Sequence, residues 1–270
     1  MFIKRFLAAL VLAAVGIPAI IFGGHFYAIL IMGFLGVAAW EFGRMFRQVD
    51  FIASEPVLLG GVLLVAVARH YFPEFGAGVF SLLILAAMTW HLIDYERGRD
   101  RAASDFCVTV GGIVYLGWIG AYLIDLRYLP DGLWWIVLVL PAIWLADTAA
   151  YFFGSRFGKH RLSPRLSPKK SWEGYIAGII FATVGTPALA LLWHRFGGPD
   201  LTWSQGAGLG ALLSILTLLG DLGESMFKRQ AGLKDSSNII PGHGGIFDRI
   251  DSWLWGGVIG YYFIIWFFLH

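Results

Sequence analysis

The chain has 270 residues, of which 58% are hydrophobic and 14% charged, with a mean hydropathy of +0.70. Soluble domains carry about 25% charged residues; no water-soluble fold of this length hides so much apolar surface, so lipid must be the solvent for much of it. One cysteine excludes an intrachain disulfide framework and a Cys-based zinc site, and the formal net charge of +2 says nothing as a total.

A helix needs roughly 17–20 mostly apolar residues to cross the hydrocarbon core. Taken in chain order, such stretches run over 6–22, 25–43, 56–72, 77–94, 107–124, 133–153, 174–193, 205–223 and 252–269. The expectation is an all-α, polytopic membrane helical bundle of about nine transmembrane helices. The chain reads as a single integral-membrane domain over 1–270, with N-terminal spans in 1–130 and a second half, 140–270, that carries both long polar loops. Lys4 and Arg5 followed by an apolar run resemble the start of a signal peptide, but no small-x-small cleavage site follows, so an uncleaved first span is expected. Cys107 falls in an apolar segment and is expected to pack as a small buried hydrophobe. Glu41, Arg44 and Arg47 read as an ordinary membrane-edge cluster, as do Asp94, Glu96, Arg97 and Arg99.

Of the 20 Lys and Arg residues, all but Arg69, Arg127 and Arg195 fall on one side of these spans. The positive-inside rule then puts the N-terminus and both long polar loops in the cytoplasm. Those loops are 154–174 and 224–251.

The second loop concentrates the chemistry. Asp221, Glu224, Ser225 and Lys228 recur at helical spacing on one face. Such a group forms either an interfacial ion pair or, because charge at membrane depth is costly, a functional site. Pro241-Gly242-His243-Gly244-Gly245 cannot continue a regular helix and can expose amides, which bind anions. Asp248 and Asp251 follow at i and i+3. Grouped oxygen ligands suit Mg²⁺, which takes one or two carboxylates plus substrate phosphates; the same acids also suit the first turn of a helix. With Lys228, Arg229, Lys234 and Arg249 beside them, the loop has the inventory for phosphoryl or nucleotidyl transfer. No GxxxxGK[ST] run is present, which excludes a P-loop on motif grounds.

Ser225-Met-Phe-Lys-Arg-Gln-Ala-Gly-Leu-Lys-Asp235 followed by Pro241-Gly-His-Gly-Gly-Ile-Phe-Asp-Arg-Ile-Asp251 resembles the signature of the phosphatidate cytidylyltransferases (CDP-diacylglycerol synthases). Every fixed position of S-x-x-K-R-x4-K-D and H-G-G-x-x-D-R-x-D is met. Upstream, Asp147 to Lys159 and Leu166 to Gly174 match the family's second block, so the resemblance is close from about residue 140 onward.

The resemblance implies cytidylyl transfer from CTP to phosphatidic acid, giving CDP-diacylglycerol and pyrophosphate, with Mg²⁺ required; the sequence leaves open whether a second, monovalent cation such as K⁺ shares the site. It implies Asp221 and Asp248 as metal ligands, Asp251 as a further candidate, and Lys228 and Asp147 as catalytic. Ser225, Arg229, Lys234, Asp235, His243, Gly244, Gly245, Arg249, Lys169 and Ser171 would bind substrate. The expected partners are CTP, phosphatidic acid, membrane lipids and a second copy in a homodimer, with no nucleic acid. The expected place is a bacterial-type cytoplasmic membrane, with the site facing the cytoplasm. Two rivals are a CTP-dependent kinase of lipid alcohols, which would release CDP, and an ion-coupled transporter, since acids such as Asp147 and Asp221 can mark ion pathways.

Overall fold

The computed structural model describes residues 2–240 and 244–269, with side chains from Leu10 onward. The elements run α1 (Phe2–Phe22), α2 (Gly24–Arg47), α3 (Glu55–Tyr71), α4 (Pro73–Glu96) and α5 (Ala102–Gly112). A π-helical stretch (Ile113–Trp118) leads to α6 (Tyr122–Tyr128), and α7 covers Gly132–Phe157. A short hairpin, β1 (Arg161–Ser163) and β2 (Ser167–Ser171), precedes α8 (Trp172–His194), α9 (Trp203–Gln230) and α10 (Phe247–Phe268). The protein is an all-α, polytopic membrane protein.

Each stretch expected from hydropathy is built mainly of helix. Among the described residues six helical stretches are long and apolar enough to cross a membrane: α2, α4, the run Ala102–Tyr128, α7, α8 and α9. In α1 the apolar part is the shorter Leu10–Phe22, and α3 has 17 residues. α10 has 22 residues, several of them Trp and Tyr. Large apolar side chains such as Phe22, Phe26, Leu82 and Leu191 lie on the outside, where a lipid-solvated protein puts them. Cys107 is also exposed, which corrects the expectation of a buried thiol. In lipid, an apolar segment has no need to bury every face.

The chain forms two compact units, each from two stretches: Met1–Asp125 with Phe227–Ile250, and Leu126–Met226 with Asp251–His270. In the first unit, small residues let backbones approach. A Cβ at Gly117 would lie 3.1 Å from Val62 Cα. Phe42, Phe46, Tyr115, Phe227 and Phe247 interlock at ring separations of 4.8–6.4 Å, and Phe247 is fully buried. This aromatic cluster packs around the start of α10. In the second unit, α7 and α8 pair antiparallel. Cβ atoms at Gly174 and Gly178 would meet the carbonyls of Ala150 at 2.5 Å and Ala146 at 2.8 Å. Close small-residue packing replaces the hydrophobic driving force that lipid removes.

Candidate active site

In the first unit the site is the turn from the end of α9 into α10. Lys228 Nζ donates to Asp248 Oδ1 at 2.6 Å, with side chains only 11% and 6% exposed. Asp248 Oδ2 accepts three further bonds, from Ser236 N (2.9 Å), Ser236 Oγ (2.7 Å) and Gly245 N (2.8 Å). A carboxylate so placed stitches the loop to the first turn of α10, whose free amides favour negative charge.

The two adjacent glycines have separate physical reasons. Gly244 sits at φ +82°, and a Cβ there would lie 2.6 Å from Asp248 Oδ2. A side chain at Gly245 would collide with the Ser236 hydroxyl and the Glu41 carboxylate. Ile240 N donates to Gly244 O at 2.9 Å. His243 lies outside the described residues, as do Pro241 and Gly242. Arg229, Lys234, Asp235 and Arg249 are exposed, and Arg229 also donates to Leu233 O at 3.1 Å.

Glu41 corrects its reading as a membrane-edge charge. It is completely buried and accepts from Ser237 Oγ (2.5 Å), Ile246 N (3.0 Å) and Phe247 N (2.7 Å), and Ser236 Oγ, whose one proton it shares with Asp248, lies 3.1 Å away. Arg47 pairs instead with Glu55 at 2.6 Å, and Arg44 stacks over Trp40. A buried carboxylate is tolerable only when hydrogen-bonded, and these four donors all come from the signature loop and its junction with α10. Next to them is a cavity of about 360 Å³ lined by Trp40, Arg44, Gln48, Asp235, Ser237 and Asn238, among others.

The second unit holds a different pair. Lys170 Nζ donates to Asp221 Oδ2 at 2.5 Å, with side chains 27% and 33% exposed. One turn on, Ser225 Oγ is 3.4 Å from Asp221 Oδ1, a weak contact. Asp147, exposed on α7, lies within electrostatic range of both Lys170 and Asp221. Asp251 Oδ1 accepts from Ser252 N at 2.6 Å. Ser171 is buried and caps α8, its hydroxyl accepting from Gly174 N at 3.2 Å, while Lys169 is exposed.

Lys170 and Glu41 were not among the expected site residues. Lys170 is separated from Lys169 only by β2 itself, on which neighbouring side chains take opposite faces. Glu41 has no local signal, because its partner Ser236 is 195 residues further on.

The cytidylyltransferase family model matches residues 3–267. A phosphatidate cytidylyltransferase of Pseudomonas aeruginosa is 36% identical over 268 residues, covering 92% of each chain. Proteins of the same name from Haemophilus influenzae and Staphylococcus aureus are 34% and 33% identical, over 92% and 93% of this chain and 93% and 94% of their own. This chain belongs to the cytidylyltransferase family.

Proposed function

We propose that this enzyme transfers the cytidylyl group of CTP to phosphatidic acid, giving CDP-diacylglycerol and pyrophosphate. The carrying observation is the match of almost the whole chain to the family, with relatives named for that activity over more than nine-tenths of their length. The reaction is a nucleotidyl transfer: a phosphatidate oxygen bonds to the α-phosphorus of CTP as the bond to the β-phosphate oxygen breaks.

A phosphomonoester has its second pKa near 6, so at pH 7 the attacking oxygen is already largely ionised. The barrier is repulsion between two anions and the charge that builds on pyrophosphate. Positioned cations therefore matter more than a proton acceptor. Lys170 and Lys228 each stand against a carboxylate, and Arg229, Lys234, Arg249 and Lys169 are open to solvent. We assign these to the phosphates of CTP and the lipid. Ser225 and Asp235 are assigned to substrate contact, and Gly244 and Gly245 shape the loop that bears it. Ser171 supports this arrangement through the α8 cap.

Mg²⁺ belongs to the same proposal. Mg²⁺ takes one or two carboxylates and is completed by substrate phosphates. Asp221, about one-third exposed and with a lysine ammonium on one oxygen, has the chemistry of a cation ligand. Asp248 is the second carboxylate assigned, through the oxygen now facing Lys228, with Asp251 as a further candidate and Asp147 supporting Asp221. When bound, Mg²⁺ would neutralise phosphate charge. A monovalent ion such as K⁺, a homodimer, a cytoplasmic N-terminus and a site on the cytoplasmic face of a bacterial membrane complete the proposal; the last two are supported by the one-sided placement of Lys and Arg.

The test is purified protein in detergent with Mg²⁺, CTP labelled at the α-phosphorus, and phosphatidate. Labelled lipid and free pyrophosphate are expected. Release of CDP with a lipid alcohol as acceptor would overturn the assignment, and failure to turn over without a sealed compartment would favour a carrier.

A further inference from the structure

The buried Glu41 carboxylate does more than fill the end of α2. We propose that Glu41 is a positioning residue that holds the signature loop, and with it the cavity beside Trp40 and Arg44, in the form that binds the nucleoside part of CTP. The proposal rests on the loop serving the cytidylyl-transfer reaction.

Each oxygen of Glu41 receives one backbone amide and faces one hydroxyl, that of Ser236 being shared with Asp248. Oε1 takes Ser237 Oγ and Ile246 N; Oε2 takes Ser236 Oγ and Phe247 N. The amides belong to the junction with α10 and the hydroxyls to the loop, so one side chain fixes both ends of that segment. The Ser236 hydroxyl lies within bonding distance of Glu41 and of Asp248. It has a single proton to donate, so the positions of the two carboxylates are linked through it.

The cavity lining indicates which part of the substrate is held. Trp40 with Arg44 stacked on it, at 4.7 Å to the ring centroid, offers a flat surface. Gln48 and Asn238 add two side-chain amides, and Asp235 adds an acceptor. Arg44 and Asp235 lie in the same lining and offset one another, so the cavity has no excess of positive charge for a phosphate. A pyrimidine with an exocyclic amine and a ribose with hydroxyls are matched by stacking, amides and an acceptor. Asp235, Ser236, Ser237 and Asn238 come from the stretch of loop that Glu41 fixes.

The test is Glu41→Gln, which keeps size and shape. Whichever way the glutamine is turned, its –NH₂ meets a backbone N–H, of Ile246 or of Phe247. We expect weaker binding of a non-hydrolysable CTP analogue, by about tenfold or more, as for lost hydrogen bonds to a buried charge. KM for CTP should rise by a similar factor, with KM for phosphatidate and kcat changed much less. A purely structural latch would lower the active fraction and thermal stability and leave KM for CTP alone; that result overturns the proposal.

Should Glu41→Gln fail to fold, Ser237→Ala carries the test, since it removes one donor of four. A smaller rise in KM for CTP supports the proposal, and no rise overturns it. Where both fold, the double variant should be no worse than Glu41→Gln alone, and full additivity overturns the shared latch. Analogue binding reads Glu41 without any lipid acceptor, whereas wild-type protein that binds the analogue and fails to label phosphatidate would sink the functional assignment alone.

Discussion

Two lysine–carboxylate pairs stand in the candidate site, and their surroundings differ. Lys228–Asp248 is nearly buried, and both Asp248 oxygens are engaged, one by the lysine and the other by three donors of the loop. Lys170–Asp221 is about one-third exposed, and among the described residues the second Asp221 oxygen has a long contact to Ser225. The same two residue types therefore have different work. A pair locked into a loop holds structure as well as charge. A pair open to solvent can exchange its partner for a substrate or an ion at little cost.

The largest expected effect comes from Asp248→Asn. Breaking a buried pair costs about 3–5 kcal/mol, and this change also weakens the acceptor for three loop donors. Turnover should vanish together with a fall of several degrees in the unfolding midpoint of the detergent-solubilised protein. An unchanged midpoint would show that the buried pair is not structural.

Asp221→Asn should separate the two quantities. Loss of one positioned electrostatic group lowers turnover by about 10²–10³-fold, while a partly exposed pair contributes less to stability than a buried one. The expected result is an inactive protein with a near-native midpoint. Equal losses of stability in Asp221→Asn and Asp248→Asn would erase the distinction between the pairs.

The glycines of the loop come next. Gly245→Ala forces a methyl against the Ser236 hydroxyl and Glu41, and overpacking of this kind costs about 1–3 kcal/mol. Turnover should fall more than stability, because the displaced segment bears the proposed nucleotide contacts. Paired measurement of kcat/KM and thermal midpoint checks this.

Much of this arrangement was legible before the structure. Periodicity and length locate α2, α4 and α7 to within a few residues, since lipid leaves helix as the only open way to satisfy a backbone. The Asp221 and Asp248 motifs stand out because charge is rare on so apolar a chain. Three things were not legible. The β1–β2 hairpin hides in a basic loop without the alternating apolar pattern of a strand. Lys170 is told from Lys169 only once β2 exists. Glu41 looks like any edge charge, because what makes it special is a set of donors nearly 200 residues away. Local physics is written in neighbouring residues; long-range satisfaction of a buried charge is not.

The finest test of the comparison lies within β2, where two adjacent lysines differ only in the face they take. Lys170 meets Asp221, and Lys169 is exposed. Lys170→Met should lower kcat by about 10-fold or more, the order expected for one charge-assisted contact made in the transition state. Lys169→Ala should act chiefly on KM for phosphatidate presented in anionic vesicles. A lysine near such a surface contributes about 1 kcal/mol, roughly fivefold in binding. Because that attraction is screened within about one Debye length, near 8 Å at physiological salt, the Lys169 effect should fade as salt is raised. The Lys170 effect should persist, since its partner lies at hydrogen-bond distance. If the two variants respond alike to salt, the strand does not divide the lysines between chemistry and surface, and the open pair loses its special standing.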